Sequence, residues 1–290
     1  MSKVWALKHR PSFDDIVGQD DIINAIGTGM QHMVFYSPQA GTGKTSLAHA
    51  LAKRHGMTLH IFNASSKKTR GIEFVEEELL PMSRTGNYKQ IFLLDEADQL
   101  TPAAQSALKG VIENAHGWFI LTCNDLSKVS VWLQSRCRVL KFNPISEEHM
   151  KQRLLTIAGK EGVEITPNHL ALIINNHRGD LRNAINALQA YTNSHERNSF
   201  VLSLENNKFD VQQFLTLCFR EKDFEASLDI LNKDDKRNSI RSVFRFAMDS
   251  NAKAPSKLKV IEAAVTSERD FILGVDEDII LSNFVLMCMQ

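Results

Sequence analysis

The stretch SPQAGTGKTS, residues 37–46, gathers small residues, a lysine and four hydroxyls into a few positions. Small residues ahead of a helix let backbone N–H groups curl around phosphate oxygens, and the helix N-terminus adds a positive field. In such a loop Gly41, Thr42 and Gly43 supply the curl. Lys44 reaches the outer phosphates of a nucleoside triphosphate, Thr45 holds Mg²⁺, and Ser46 follows in the helix. The strict pattern GxxxxGK[ST] wants glycine where this chain has Pro38. Proline removes one N–H donor, but at the loop entrance rather than over the phosphates.

A second cluster is acidic. IFLLDEAD is an apolar run that stops at Asp95 and Glu96. Asp95 is suited to orient the water ligands of a metal ion, and Glu96 to act as general base on an attacking water. Read alone, the pair could equally be surface charge. Asn124 ends the run WFILTCN, where an amide could bond a γ-phosphate or simply make a turn. Arg182 lies in HRGDLRNAIN, where it could reach over the phosphates from a helix or remain a surface cation. QSRCRVLKF places Arg136 and Arg138 at the mouth of a strand, with no acidic partner nearby in the sequence.

These residues need a sheet to bring them together. MVFYS (33–37), TLHIFN (58–63), QIFLLDEAD (90–98), WFILTCN (118–124) and RVLKF (138–142) read as strands, most of them buried on both faces. Between them, Leu47, Ala48, Leu51 and Ala52 have helical spacing, with Gly56 as a stop. GIEFVEEELL (71–80) reads as another helix, and Thr101 caps a third that opens on Pro102. Strands alternating with helices imply a parallel sheet, so residues 1–145 form one α/β domain. Three helices follow over 146–194, with Ser146 and Thr166 as caps. TNSHERNSF (192–200) is a polar linker, and 207–290 is all helical. One helix there sets Val211, Phe214, Leu215 and Cys218 on one face.

Composition narrows the rest. The chain has 290 residues, 43% hydrophobic and 23% charged, with 34 cations against 34 anions. Two or three domains are expected, and global charge points to neither nucleic acid nor membrane. Cys123, Cys137, Cys218 and Cys288 stand far apart, which argues against a zinc site or a disulfide framework. The start MSKVWALKHRPSF has no signal-type apolar core, and no run reaches ~18 apolar residues. A soluble cytoplasmic protein without membrane contact is expected.

Five stretches together resemble the clamp-loader ATPases of the AAA+ superfamily. They are LKHRPSFDDIVGQ, AGTGKTSLAHALAK, FNAS (62–65), LLDEADQLTPAAQSAL, and QSRCR followed by GDLRNAINAL. The Ser-Arg-Cys triplet at 135–137 is the most specific of these. Pro38 in place of the first loop glycine, with the overall size, looks like the large ATP-hydrolysing subunit of T-even-type phage loaders. For such a phage the compartment is the host cytoplasm.

The resemblance implies an AAA+ ATPase domain, a three-helix lid and a helical collar for oligomerisation. It implies ATP and Mg²⁺ as ligands and DNA- and clamp-stimulated hydrolysis to ADP and phosphate. It makes Arg136 an arginine finger acting on the ATP of a neighbouring subunit, Asn124 sensor 1 and Arg182 sensor 2. The backbone around Leu7, Lys8, His9 and Val17 lines the adenine pocket, with His9 where the family usually has tyrosine. Arg138 receives no role.

The implied partners are a sliding clamp, primer–template DNA gripped without sequence preference, and further loader subunits, alike and unlike, including a smaller non-ATPase subunit. Lys67, Lys68, Arg70 and Lys109 are the candidate DNA contacts, or else solvated charge. Leu79, Leu80 and Met82 are the candidate clamp contacts, or else core. Two rivals stand beside this reading: another AAA+ DNA motor, such as a branch-migration helicase or an initiator, and a scaffold subunit that binds ATP without hydrolysing it.

Overall fold

All five apolar runs become strands of one parallel sheet. They are β1 (Met33–Tyr36), β2 (Thr58–Asn63), β3 (Gln90–Asp95), β4 (Trp118–Cys123) and β5 (Arg138–Lys141), in the order β2-β3-β4-β1-β5. The computed structural model describes residues 4–27, 29–85, 88–194, 209–232, 235–250 and 254–290. They divide into two compact units, Met1–Arg197 and Asn198–Gln290.

The central strands bury both faces because successive side chains alternate. Val34, Phe92, Leu94, Phe119 and Leu121 enter one core. Met33, Phe35, Ile91, Leu93 and Ile120 enter the other. Helices seal each side. Ahead of the sheet lie α1 (Trp5–Lys8) and α2 (Asp20–Ile26). Beyond the phosphate loop, α3 (Lys44–Arg54) buries Leu47, Ala48, Leu51 and Ala52. The opposite side carries α4 (residues 72–84), α5 (Pro102–Glu113) and α6 (Val131–Arg136). Thr101 caps α5 by accepting from Ala104 N at 3.2 Å.

Two helix boundaries differ from expectation. α4 runs through Pro81 to Arg84 rather than ending at Leu80, because a π-type stretch over Phe74–Leu79 precedes Leu80–Arg84. Pro81, which has no N–H to donate, therefore stands inside a continuous helix, just after the π-type stretch that widens it. After β5 come α7 (Glu147–Glu161), α8 (Pro167–Asn176) and α9 (Leu181–Asn193). Ser146 and Thr166 cap the first two, as predicted, by accepting from His149 N and His169 N. Helix α9 includes Thr192 and Asn193, which the polarity of the stretch had assigned to a linker. Residues 195–200 of that stretch lie outside the described residues.

The second unit contains α10 (Val211–Thr216, continued by a π-type turn at Leu217–Glu221), α11 (Phe224–Leu231), α12 (Lys236–Asp249), α13 (Ala254–Leu273) and α14 (Glu277–Met289). Phe214 and Cys218 are fully buried, and Val211 and Leu215 pack against the same cluster. On α13 the exposed Leu258, Val265 and Ile272 recur two turns apart, so one apolar stripe faces outward. No helix among the described residues is long and apolar enough to cross a membrane.

Candidate nucleotide-binding site

Strands β3, β4 and β1 are neighbours, so their carboxyl ends share one edge of the sheet. Asp95 closes β3, Asn124 follows β4, and the phosphate loop follows β1. Ligands of open parallel sheets bind at such an edge. A cavity of about 440 Å³ opens there. It is lined by Gly41, Thr42, Gly43, Lys44, Thr45 and Ser46, by Asp95, Glu96, Thr122 and Asn124, and by Arg182.

Within it the sequence-predicted residues meet. Lys44 Nζ donates to Asn124 Oδ1 at 2.9 Å, to Gln39 O at 3.2 Å and to Ser37 O at 3.3 Å. Thr45 Oγ1 donates to Asp95 Oδ1 at 3.1 Å. Burial foremost pulls the Lys44 ammonium below its ordinary pKa, with Arg182 adding to the shift and Asp95 opposing it. Glu96 sits in the left-handed region at φ 59, and its N–H donates to Thr122 Oγ1 at 3.0 Å. That kink points the acid pair at the cavity.

The loop suits a triphosphate with its cation. Gly43 has φ 98, a conformation that residues with a Cβ rarely adopt. Thr42 Oγ1 is buried without a partner. Hydroxyl and carboxylate oxygens, side by side at Thr45 and Asp95, are the donors Mg²⁺ takes. Lys44 bonds only neutral oxygens, which leaves its charge for an anion.

Several contributors escaped the sequence reading. Thr122 ties both acids: its Oγ1 donates to Asp95 Oδ1 at 2.5 Å while accepting from Glu96 N. A lone polar residue inside an apolar run was its only trace. Arg10 also lines the cavity, and its Nη1 meets His49 Nε2 at 2.7 Å. Burial lowers its pKa, and Arg182 lowers it further. Gln19 is buried and braces the loop by donating to Thr42 O at 3.2 Å and Asn143 O at 2.8 Å.

Helices α7 and α9 touch this cavity directly, through Arg153 and through Leu181, Arg182 and Ile185. Gln39 Nε2 donates to Arg178 O at 2.7 Å. Asp180, the cap of α9, lies so close that a Cβ on Gly41 would come 1.8 Å from its Oδ1. Leu7, His9 and Val17 line the cavity as expected. The Lys8 side chain turns to Glu161, its Nζ 2.6 Å from Oε1. His9 Nε2 meets the same carboxylate, and Arg153 Nη2 donates to His9 O at 2.6 Å.

The remaining predicted residues lie elsewhere. Arg136 is not among the lining residues and is exposed. It does have a partner within the chain, which sequence distance concealed: Nε donates to Glu113 Oε1 at 2.7 Å. Arg138 is exposed at the start of the edge strand β5. Lys67, Lys68, Arg70 and Lys109 are all exposed. Arg70 O accepts from Thr101 N at 2.9 Å, which ties the loop of the first three to the start of α5, the helix of the fourth. Leu79 is a correction. It is fully buried in the core against α5, because the π-type stretch turns it inward, so it cannot meet a partner. Leu80 and Met82 are half-buried and pack against that core.

Comparisons with known proteins agree with this architecture. The profile of the AAA family, ATPases associated with various cellular activities, matches residues 33–144. A replication factor C small subunit of Archaeoglobus fulgidus is 39% identical over 202 residues, 64% of this chain and 63% of that protein. The chain thus spans less than two thirds of that relative. Longer matches, each 32% identical, reach the small subunits of Aeropyrum pernix (98% of this chain, 95% of the relative) and Methanoculleus marisnigri (99% and 98%). Among solved structures, the RuvB Holliday junction branch migration motor of Thermotoga maritima has a TM-score of 0.60 at 17% identity, covering 96% of this chain and 90% of RuvB. That likeness is one of fold, an AAA+ parallel-sheet domain followed by helices. With matches at 32% identity that run nearly end to end in the archaeal proteins, the chain belongs to the replication factor C small-subunit family of AAA+ clamp-loader ATPases.

Proposed function

We propose that this protein is an ATP-hydrolysing subunit of a sliding-clamp loader in which each active site is completed by the next subunit. The observation that carries the reading is a division. Lys44, Thr45, Asp95, Glu96, Asn124 and Arg182 line or bridge one cavity, while Arg136 stands outside it, exposed, on α6. The cavity's own cations are Lys44, Arg10 and Arg182. Arg136 of an adjacent subunit adds a further guanidinium for the charge that develops on the γ-phosphate.

ATP seats its phosphates on the backbone of Gly41 to Thr45, with Lys44 exchanging its carbonyl partners for phosphate oxygens. Thr45 and, through water, Asp95 would hold Mg²⁺, which would supply charge neutralisation for the phosphates. Glu96 draws a proton from the attacking water, and Asn124 orients that water or the γ-phosphate. Arg182, carried by the α7–α9 lid (146–194), reports the triphosphate by drawing the lid onto it.

ATP binding then assembles a spiral that opens the clamp and grips primer–template DNA, and hydrolysis releases the closed clamp. The exposed Lys67, Lys68, Arg70 and Lys109 support contact with phosphates, and Met82 and Leu80 support contact with the clamp. The outward stripe of Leu258, Val265 and Ile272 supports a collar over 207–290 that joins like and unlike subunits, a smaller non-ATPase one among them. Pro38 and the chain's size support a place beside the large subunit of T-even-type phage loaders, working in the host cytoplasm. A scaffold has no need of Glu96, and that residue lines the cavity.

The test is Arg136→Ala in the assembled complex. Nucleotide affinity should be unchanged, and DNA-stimulated turnover should fall by ~10³–10⁵, the range for trans-acting arginines in GTPases. Unchanged turnover refutes the reading, as does a lone subunit that hydrolyses ATP at full rate however dilute.

A further inference from the structure

Glu113 ends α5, and Arg136 ends α6. Besides the Glu113 bond, Arg136 Nη1 donates to Trp132 O at 3.3 Å, and the guanidinium carbon lies 5.9 Å from the Trp132 ring centroid. Nη2 has no partner among the described residues. The two helices share one core, in which Val111, Ile112 and Leu133 are buried, so both ends are firmly anchored.

Glu113 is oddly placed for its own helix. The last turn carries the negative end of the helix dipole, which disfavours an acid. No bond within α5 offsets this; the bond to Arg136 does. A residue that breaks a local rule and is compensated only by a functional neighbour marks a functional place. The atom it takes matters too. An arginine gripped at Nε keeps its terminal nitrogens for a second anion, and a guanidinium already fixed loses less freedom when it docks.

We infer that Glu113 is a positioning residue for Arg136, holding its Nε so that Nη2 is presented to the γ-phosphate of ATP on the adjoining subunit. Glu113 touches no substrate and acts only through the arginine. The inference rests on Arg136 acting in trans.

The experiment measures ATP turnover of the assembled complex with primer–template DNA, for wild type, Arg136→Ala, Glu113→Ala, Glu113→Gln and the double variant Glu113→Ala/Arg136→Ala. Glu113→Ala is expected to lower kcat about tenfold with KM for ATP unchanged, because only the transition state loses an interaction. Glu113→Gln keeps volume and an acceptor oxygen and should lose about threefold. In the Arg136→Ala background Glu113→Ala should cost nothing further, whereas a merely structural role would subtract from both backgrounds. Equal losses in both backgrounds, or unchanged or faster turnover in Glu113→Ala, overturn the inference; faster turnover would make Glu113 a restraint. If Arg136→Ala is itself harmless, the trans reading falls and takes this with it. If Arg136→Ala is inactive while Glu113→Ala is normal, only the inference falls.

Discussion

Replacing Gly41 by alanine should weaken nucleotide binding through the lid rather than through the loop's own donors. Gly41 has φ 69, and its new Cβ would lie 1.8 Å from Asp180 Oδ1 and 3.0 Å from Asp180 Cα. Holding alanine in the left-handed region costs about 1 kcal/mol. The Asp180 carboxylate must also swing away, losing its cap bond to Asn183 N at 3.0 Å, which is worth about 1 kcal/mol. Together about 2 kcal/mol corresponds to ~30-fold weaker binding if the whole cost falls on the closed cavity. Titration of a fluorescent ATP analogue into wild type, Gly41→Ala, Asp180→Ala and the double variant measures it. With the carboxylate gone, only the backbone strain is left, so the alanine should cost about 1 kcal/mol instead of 2. Gly41→Ala binding within twofold of wild type, or a strictly additive cycle, refutes the contact argument.

Thr122→Val keeps the shape of β4 but leaves the Glu96 N–H without its acceptor and Asp95 with the Thr45 hydroxyl but not that of Thr122. The loss should be about 1–3 kcal/mol in urea unfolding, accompanied by slower turnover. In the second unit, bonds from Arg237 and then Arg241 hold the Glu268 carboxyl down to about 2, from an ordinary 4.5. A depressed carboxyl stabilises fully above its ordinary pKa and ceases to as pH falls toward the depressed one. The group is partly exposed, so screening reduces the gain to about 1 kcal/mol. Glu268→Gln should lose that at neutral pH in urea unfolding, and the gap to wild type should narrow below pH 4.5; a gap independent of pH would refute the assignment.

The sheet was legible because its central strands are buried on both faces, and uninterrupted runs such as Ile91 to Leu94 have few other uses. The caps at Ser146 and Thr166 were legible because capping is local chemistry. Long-range contacts were not. Nothing near Arg136 announces Glu113, and the bonds of Thr122 and Gln19 depend on pairings far apart in the chain. For Leu79 the sequence left core and clamp contact side by side, and its burial in the core follows from packing against α5 that local sequence does not reveal. For Lys8 the resemblance speaks of the backbone path alone, and the ion pair of its side chain with Glu161, far along the chain, had no local signal.

All four thiols are buried, and burial drives those of Cys123 and Cys137 up to about 12. Sulfur reacts as thiolate, so at neutral pH alkylating reagents and peroxide find almost nothing to attack. A cysteine engineered onto the exterior would be the sole labelling position, and dyes could be attached there without first stripping out the native ones.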